Sequence, residues 1–201
     1  MTPSLASPHR LEHAPTWPFL LVIPAILAVQ ALILWAMGRH PICTCGYVKL
    51  WHGVVHSSEN SQHVFDWYSF THLIHGFIFY FVLWLALPRA PVLLRLALAV
   101  AIEGVWEVVE NSDWIINRYR METISFDYFG DSIVNSVFDN VSMIFGFALA
   151  ALLPPWGVVA FAVVMEIVLG FLIHDNFTLN VLMIFHPVDS IKAWQATAPL
   201  Q

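Results

Sequence analysis

The chain has 201 residues, of which 59% are hydrophobic and 11% are charged, and its formal net charge is -6. A soluble domain carries about 25% charged residues, so this composition is typical of a membrane protein. The 8 Lys and Arg residues are scattered singly, which excludes the basic surface that nucleic-acid binding requires. We therefore expect membrane lipid, and not nucleic acid, as the partner of this chain.

Five apolar segments follow one another along the chain, at residues 17–38, 70–87, 92–110, 133–153 and 156–173. Each is close to the roughly 20 residues that cross a hydrocarbon core of about 30 Å. The length of the first segment favours a spanning helix over a cleavable signal sequence. The predicted fold is all-α, with residues 1–201 forming a single transmembrane domain, an integral membrane bundle of about five helices.

The connections between these segments are of two kinds. Prolines mark short turns between the second and third segments and between the fourth and fifth. The polar stretches at residues 39–69, 111–132 and 174–201 all leave the bundle at the opposite face. That face also has a small excess of Lys and Arg, which favours a cytoplasmic position by the positive-inside rule. The polar face carries Arg39, Lys49, Arg118, Arg120 and Lys192, and the face with the proline turns carries Arg10, Arg89 and Arg95.

Three glutamates form a stripe in the third segment. Glu103, Glu107 and Glu110 are spaced i, i+4, i+7, so they project from one side of a helix. Glu103 would lie about 12 Å below the polar face at 1.5 Å per residue, where an unpaired carboxylate costs several kcal/mol. The stripe therefore predicts either protonated glutamates or a cationic partner.

Neighbouring segments offer ligands at the same depth. His72 and His75 begin the second segment, and Asp131, Asn135 and Asp139 descend along the start of the fourth. The fifth segment carries Glu166 and ends near His174 and Asp175. Histidines and carboxylates that converge inside a helix bundle are typical of a metal site. We predict that a divalent ion binds to His72, His75, Glu103, Glu107 and Asp139, with Glu110 or Asp131 as the general base.

Simpler interpretations remain open for each group. The glutamates could be protonated and hydrogen-bonded to a neighbouring Asn or Ser, and the two histidines could be ordinary interfacial residues. Asp131 and Ser132 could cap the N-terminus of the fourth helix, whereas Asp139 lies two turns farther in.

The segment between the first two helices is rich in reactive side chains. Cys43 and Cys45 form a Cys-x-Cys pair, a spacing too tight for an ordinary unstrained disulfide but suited to soft-metal or thiol chemistry. His52 and His56 have the i, i+4 spacing of a helical metal pair. The segment either completes the metal site as a lid or lies at the membrane surface, anchored by its aromatic residues.

Several strings resemble an uncharacterised family of alphaproteobacterial integral membrane proteins: "PICTCGYVKLWHGVVHSSENSQHVFDWYSFTHLIHGFIFY", "WEVVENS", "INRYRMETISFDYFGDSIVNS" and "GFALAALLP". The resemblance covers most of residues 39–154. It implies a multi-pass protein of the bacterial inner membrane, and it implies no particular reaction.

Two classes of function fit these features. The first is an intramembrane metal-dependent enzyme that acts on a lipid or isoprenoid-type substrate. The alternative is a proton- or cation-coupled transporter, in which the carboxylates relay charge, or a membrane assembly factor. The sequence leaves open whether the protein is an enzyme and whether it forms a homo-oligomer.

Overall fold

The computed structural model describes residues 17–197 apart from 124 and 126, so Arg10 lies outside the described residues. Within them the chain forms eight helices and no strand, with one isolated bridge between Trp51 and Phe65. The helices are α1 (Trp17–Ala36), α2 (Ser69–Ala86), α3 (Val92–Glu110), α4 (Asp113–Glu122), α5 (Ile133–Leu152), α6 (Pro155–Leu172), α7 (Phe177–Phe185) and α8 (Asp189–Gln195). The prediction of an all-α bundle is confirmed.

Four of the long helices, α1, α2, α5 and α6, are long and apolar enough to cross a membrane. The fifth, α3, has 19 residues and contains Arg95 together with the three glutamates. It packs against α1, α2 and α5, so its charged side chains can face protein on several sides. The five long helices begin and end within two residues of the predicted segments.

The contact between α2 and α5 is unusually close, because glycines meet there. A methyl group on Gly76 would overlap the backbone of Met143 and Phe147, and one on Gly146 would overlap the backbone of Leu73. Small residues allow two helix backbones to approach in this way. The contact sets the first turns of α2 beside the first turns of α5, where His72 and Asp139 lie.

We call the end of the bundle with the two proline turns the turn end, and the end with residues 39–68, α4, α7 and α8 the loop end. At the loop end, residues 39–68 cover the N-terminus of α5. The backbone N–H groups of Ser132, Ile133 and Val134 donate to the carbonyls of Ser61, His40 and Pro41 at 2.8–3.1 Å. These bonds satisfy donors that a helix start leaves unpaired.

After α6 the chain folds back before α7 begins. Glu166 accepts hydrogen bonds from the backbone N–H groups of Phe177 and Thr178, both at 3.0 Å, so it caps α7. His174 stacks on Trp194 with ring centroids 4.5 Å apart. Glu166 and His174 are thus both engaged with the returning chain.

Candidate metal centre

Glu103 lies at the bottom of the polar cluster and contacts both predicted histidines. Its Oε1 atom is 2.6 Å from His72 Nδ1, and its two carboxylate oxygens are each 3.0 Å from His75 Nδ1. The Glu103 side chain is fully buried. A buried carboxylate is tolerated when donors surround it, and here the donors are two imidazoles from the neighbouring helix.

Glu107 and Asp139 each approach one nitrogen of the His72 ring. Glu107 Oε1 is 3.4 Å from His72 Nδ1, and Asp139 Oδ2 is 4.0 Å from His72 Nε2. Each residue offers one ligand atom, and the three atoms lie within 4.8 Å of one another. The three side chains come from α2, α3 and α5, and all three residues are buried. One imidazole and two carboxylates are a donor set that divalent metals accept.

One carboxylate oxygen of Glu107 lacks a hydrogen-bond partner within the described part of the chain. Its Oε2 atom accepts a hydrogen bond from Ser136 Oγ at 2.6 Å. Its Oε1 atom is buried and has no hydrogen-bond partner among the described residues. A buried carboxylate oxygen without a donor costs free energy, so this atom is suited to bind a cation or carry a proton.

No Lys or Arg in the described part of the chain forms an ion pair with Glu103, Glu107 or Asp139. The ion pairs of these three carboxylates are all with histidines. Four basic side chains form ion pairs elsewhere: Arg39 with Asp113, Lys49 with Glu59, and both Arg118 and Lys192 with Glu122. The cluster therefore holds more carboxylates than imidazoles, and full ionisation leaves it negative.

Hydrogen bonds from α1 and α2 hold the walls of the cluster. Gln30 donates to Ser136 Oγ at 2.8 Å and accepts from Asn140 Nδ2 at 2.9 Å, which joins α1 to α5. Ser69 donates to Asp139 Oδ1 at 3.3 Å. These contacts fix the orientation of α5 relative to the carboxylates on α3.

A second group of carboxylates continues the cluster towards the loop end. Ligand atoms of Glu107, Glu110 and Asp131 also lie within 4.8 Å of one another. Asp131 accepts hydrogen bonds from Asn111 Nδ2 at 2.6 Å and from the Tyr128 hydroxyl at 3.0 Å. Burial raises the pKa of Asp131 to about 7, and its hydrogen bonds to Asn111 and Tyr128 oppose the rise. This carboxyl group can therefore exchange a proton near neutral pH.

The chain matches, over residues 34–197, a protein family described as "Protein of unknown function (DUF2585)". The chain belongs to this family. A UPF0314 protein of Paracoccus denitrificans is 54% identical over 92% of this chain and 94% of its own length. The UPF0314 protein of Sinorhizobium fredii is 53% identical over 90% of this chain and 92% of its own. No solved structure matches. The relationship predicted from the sequence strings is confirmed, and the family has no assigned activity.

In this DUF2585 protein all seven predicted site residues lie in one continuous cluster. His72 touches Glu103 and approaches Glu107 and Asp139, while Glu107 also belongs to the group with Glu110 and Asp131. Their roles as metal ligands or bases stay predictions. Ser132 is the cap of α5, since its side chain accepts from Asn135 N, whereas Asp131 turns to Asn111 and Tyr128.

Sequence reasoning missed several polar residues of the cluster. Gln30 is a single polar residue inside the apolar α1, and its position in the middle of that helix was the only available signal. Ser136 and Asn140 flank Asp139 by three residues and one residue on α5, so the same helical periodicity could have identified Ser136. Tyr119 donates to Glu110 Oε1 at 2.7 Å from α4, a helix that the sequence analysis did not predict.

The cysteine and histidine predictions in residues 39–68 need correction. Cys43 and Cys45 form a disulfide, although their spacing argued against one. No helix forms here, so His52 and His56 do not make a helical pair. His52 instead lies near His63, with ring centroids 5.2 Å apart, because the loop folds back on itself at the Trp51–Phe65 bridge.

Two cavities border the cluster. One of about 50 Å³ lies between His72 and His75 on one side and Phe177 and Asn180 of α7 on the other. A larger apolar groove of about 460 Å³ follows the outer surface of α2 and α5. Its lining residues are Trp51, Phe65, Ser69, Phe70, Leu73, Val141, Ser142 and Phe145. Ser69 connects the groove to the buried cluster, because it lines the groove and its hydroxyl donates to Asp139.

Proposed function

We propose that this protein is a multi-pass enzyme of the bacterial inner membrane, which uses a divalent metal ion to act on a lipid or isoprenoid-type substrate. Four helices of spanning length support the location. The observation that supports the metal is the buried Glu107 Oε1 atom, which has no hydrogen-bond partner among the described residues and lies 3.4 Å from His72 Nδ1 in a cluster with excess carboxylate.

The metal would bind to His72, Glu107 and Asp139, whose ligand atoms already lie close together. Glu103 Oε1 lies 2.6 Å from His72 Nδ1, while His72 Nε2 lies 4.0 Å from Asp139 Oδ2, so Glu103 would orient the ring by accepting from Nδ1. A carboxylate behind a ligating histidine is the usual way in which a metal site fixes its imidazole. Glu107 also belongs to the second carboxylate group, so it could bridge two ions.

A metal ion at this position would lower the pKa of a bound water and supply a nucleophile at neutral pH. Asp131 is the general base that we favour, because burial raises its pKa to about 7 and it adjoins Glu107 in the same group. Glu110 is the other candidate for this role. The reaction class is therefore hydrolysis or group transfer at a phosphate or an ester.

The apolar groove supports a lipid substrate. Its walls are aromatic and aliphatic, and Phe145 and Trp51 expose 58% and 42% of their surface, so a hydrocarbon chain could enter from the side. Ser69, at the polar edge of the groove, bonds Asp139. A tail in the groove would place its polar end near the metal ligands.

The test is to reconstitute the protein in vesicles of bacterial lipid extract and to follow every lipid class by mass spectrometry, with Mn²⁺ or with chelator. We expect one lipid class to be consumed only with metal, and not by Glu107→Gln or Asp139→Asn. Glu122→Gln, on the surface helix α4, is the matched control and should retain activity. A protein that binds the metal but changes no lipid would contradict the enzymatic proposal.

Charge relay is the second candidate, because carboxylates and imidazoles follow one another from Glu103 through His72 and Glu107 to Asp131. Towards the turn end, however, the described helices pack apolar residues such as Val100, Met143 and Phe147. A relay across the membrane would have to pass this layer. Proton flux into vesicles that Glu103→Gln abolishes would favour transport over catalysis.

A further inference from the structure

We propose that the loop of residues 39–68 contains a second metal site, separate from the buried cluster, in which Cys43, Cys45 and His63 bind zinc once the Cys43–Cys45 disulfide is reduced. This inference does not rest on the proposed enzymatic function. It concerns a group of side chains at the loop end that the buried cluster does not use.

The three ligands are already adjacent. The two sulfur atoms and one ring nitrogen of His63 lie within 4.8 Å of one another. His63 Nδ1 accepts from the Lys49 backbone N–H at 3.2 Å and its Nε2 lies 3.0 Å from Glu59 Oε2, so zinc would replace one of these contacts. Cys43 and His63 are buried, at 3% and 1% exposure, whereas Cys45 is exposed. Thiolate and imidazole together form the usual donor set of structural zinc sites. One exposed cysteine gives the ion and a reductant a route to the site.

Further donors surround the same histidine. His52, Glu59 and His63 also offer ligand atoms within 4.8 Å of one another. His52 is 6% exposed, and its Nε2 atom is buried with no hydrogen-bond partner among the described residues. Zinc prefers four ligands, and His52, which neighbours His63 and offers this Nε2 atom, is the candidate for the fourth position.

In the oxidised loop the ammonium group of Lys49 is the cation that lies beside Glu59 and His52. Its Nζ atom lies 2.6 Å from Glu59 Oε2 and 3.3 Å from His52 Nδ1. The hydrogen bond from Lys49 is the main reason that the pKa of Glu59 falls to about 2. The carboxylate is thus already compensated, so His52, Glu59 and His63 alone would bind a metal only by displacing Lys49. The two thiolates of the reduced loop supply the additional affinity that zinc binding requires.

The chemistry needs a reductant, for which we name a dithiol. It transfers two electrons and two protons, the sulfur–sulfur bond between Cys43 and Cys45 breaks, and the dithiol itself becomes a disulfide. Zinc then replaces the two thiol protons, which pass to solvent. The sequence predicts a cytoplasmic position for this end of the bundle, and the cytosol keeps thiols reduced.

Zinc here would stabilise the cover over the buried cluster. The loop segment that contains His63 is attached to α5, because Asn135 Nδ2 donates to the His63 carbonyl at 2.9 Å and Ser132 donates to the Gln62 carbonyl at 3.0 Å. The loop contains no helix, and these hydrogen bonds are part of its attachment to α5. A metal bound within it would hold the loop end together.

The experiment uses full-length, detergent-purified protein that has been stripped with chelator and titrated with zinc against a chromophoric competitor. A phosphine reductant, which becomes its oxide by taking oxygen from water, is present or absent. We expect one additional zinc per chain after reduction. The Glu107→Gln variant should keep this zinc, which separates the loop site from the buried cluster.

Variants and a spectroscopic measurement complete the test. We expect the doubly substituted Cys43→Ser/Cys45→Ser protein to lose the additional zinc and His63→Gln to bind it at least about tenfold more weakly. His56→Gln, in the same loop but outside the group, should bind normally. Because a misfolded cysteine variant would also lose zinc, cobalt is added to the wild type as well, where thiolate-to-cobalt charge-transfer absorption should appear only after reduction. Reduced wild-type protein without that absorption, or equal zinc binding before and after reduction, would overturn the proposal.

Discussion

Replacement of Glu107 by Gln should have opposite effects on the metal-free and the metal-bound protein. Glu107 is fully buried, one of its oxygens accepts from Ser136, and the other has no hydrogen-bond partner in the part of the chain that the structure describes. Gln keeps the size and one acceptor oxygen but removes the buried anion. We therefore expect the free energy of unfolding of metal-free Glu107→Gln to equal that of the wild type or to exceed it by about 1–3 kcal/mol, the usual cost of an unsatisfied buried group.

The metal should reverse this order. A ligand at one hundred times its dissociation constant stabilises the folded state by about 2.7 kcal/mol. For a chain of this length each kcal/mol shifts the melting temperature by about 2–4 °C, so Mn²⁺ should raise the wild-type value by roughly 5–11 °C. Glu107→Gln lacks one of the three close ligands and should show little or no shift.

The assay is thermal unfolding in detergent, followed by intrinsic tryptophan fluorescence, with a titration of Mn²⁺ after treatment with chelator. Mn²⁺ prefers oxygen and nitrogen donors over thiolate, so it reports on the buried cluster and not on the cysteine loop. Glu122→Gln should behave as the wild type does. The reasoning is refuted if Glu107→Gln keeps the full Mn²⁺ shift, or if the metal-free variant is less stable than the wild type by more than about 2 kcal/mol.

Four further predictions concern the frame of the cluster and its surroundings. Gly146→Ala should cost at least about 1–3 kcal/mol of unfolding free energy, because the methyl group overlaps the backbone of Leu73, whereas Gly157→Ala meets only ordinary contacts and should be tolerated in chemical denaturation. Gln30→Leu should cost about 1–3 kcal/mol in the same assay by leaving Asn140 and Ser136 without their partner, and the exposed Val29→Leu should be neutral. The folded-state pKa of Asp131, about 7, lies above its unfolded value, so its contribution to stability is present at acid pH and is lost as pH rises towards 7. Asp131→Asn should therefore reduce the slope of unfolding free energy against pH by up to about 1.4 kcal/mol per pH unit between pH 4 and 7. An unchanged slope would contradict the pKa assignment. Ser142→Phe should fill part of the apolar groove and reduce the amount of co-purified lipid measured by mass spectrometry, whereas Val163→Phe, exposed on α6, should leave it unchanged.

The long helices were predictable because the length of an apolar run alone determines a spanning segment. The short helix α4 was not, since tertiary contacts stabilise it: Tyr119 on α4 donates to Asn180 Oδ1 on α7. The periodicity of an apolar pattern contains no information about such partners.

The candidate site was predictable where helical spacing determines direction. The i, i+4 spacing of Glu103 and Glu107 indicated that both face the same side, and both are buried beside His72. The loop was not predictable on these grounds, because the approach of His52 to His63 depends on the path of the chain around Trp51 and Phe65. The same applies to the Cys43–Cys45 bond, for which sequence spacing was a misleading guide.

The central claim is that His72, Glu107 and Asp139 bind a divalent ion between three helices. The most direct measurement is elemental analysis by mass spectrometry of detergent-purified protein, kept oxidised, for the wild type beside Glu107→Gln and Asp139→Asn. The account predicts near-stoichiometric zinc, iron or manganese in the wild type and its loss in both variants. Folded wild-type protein without metal, or variants that keep the wild-type amount, would contradict it.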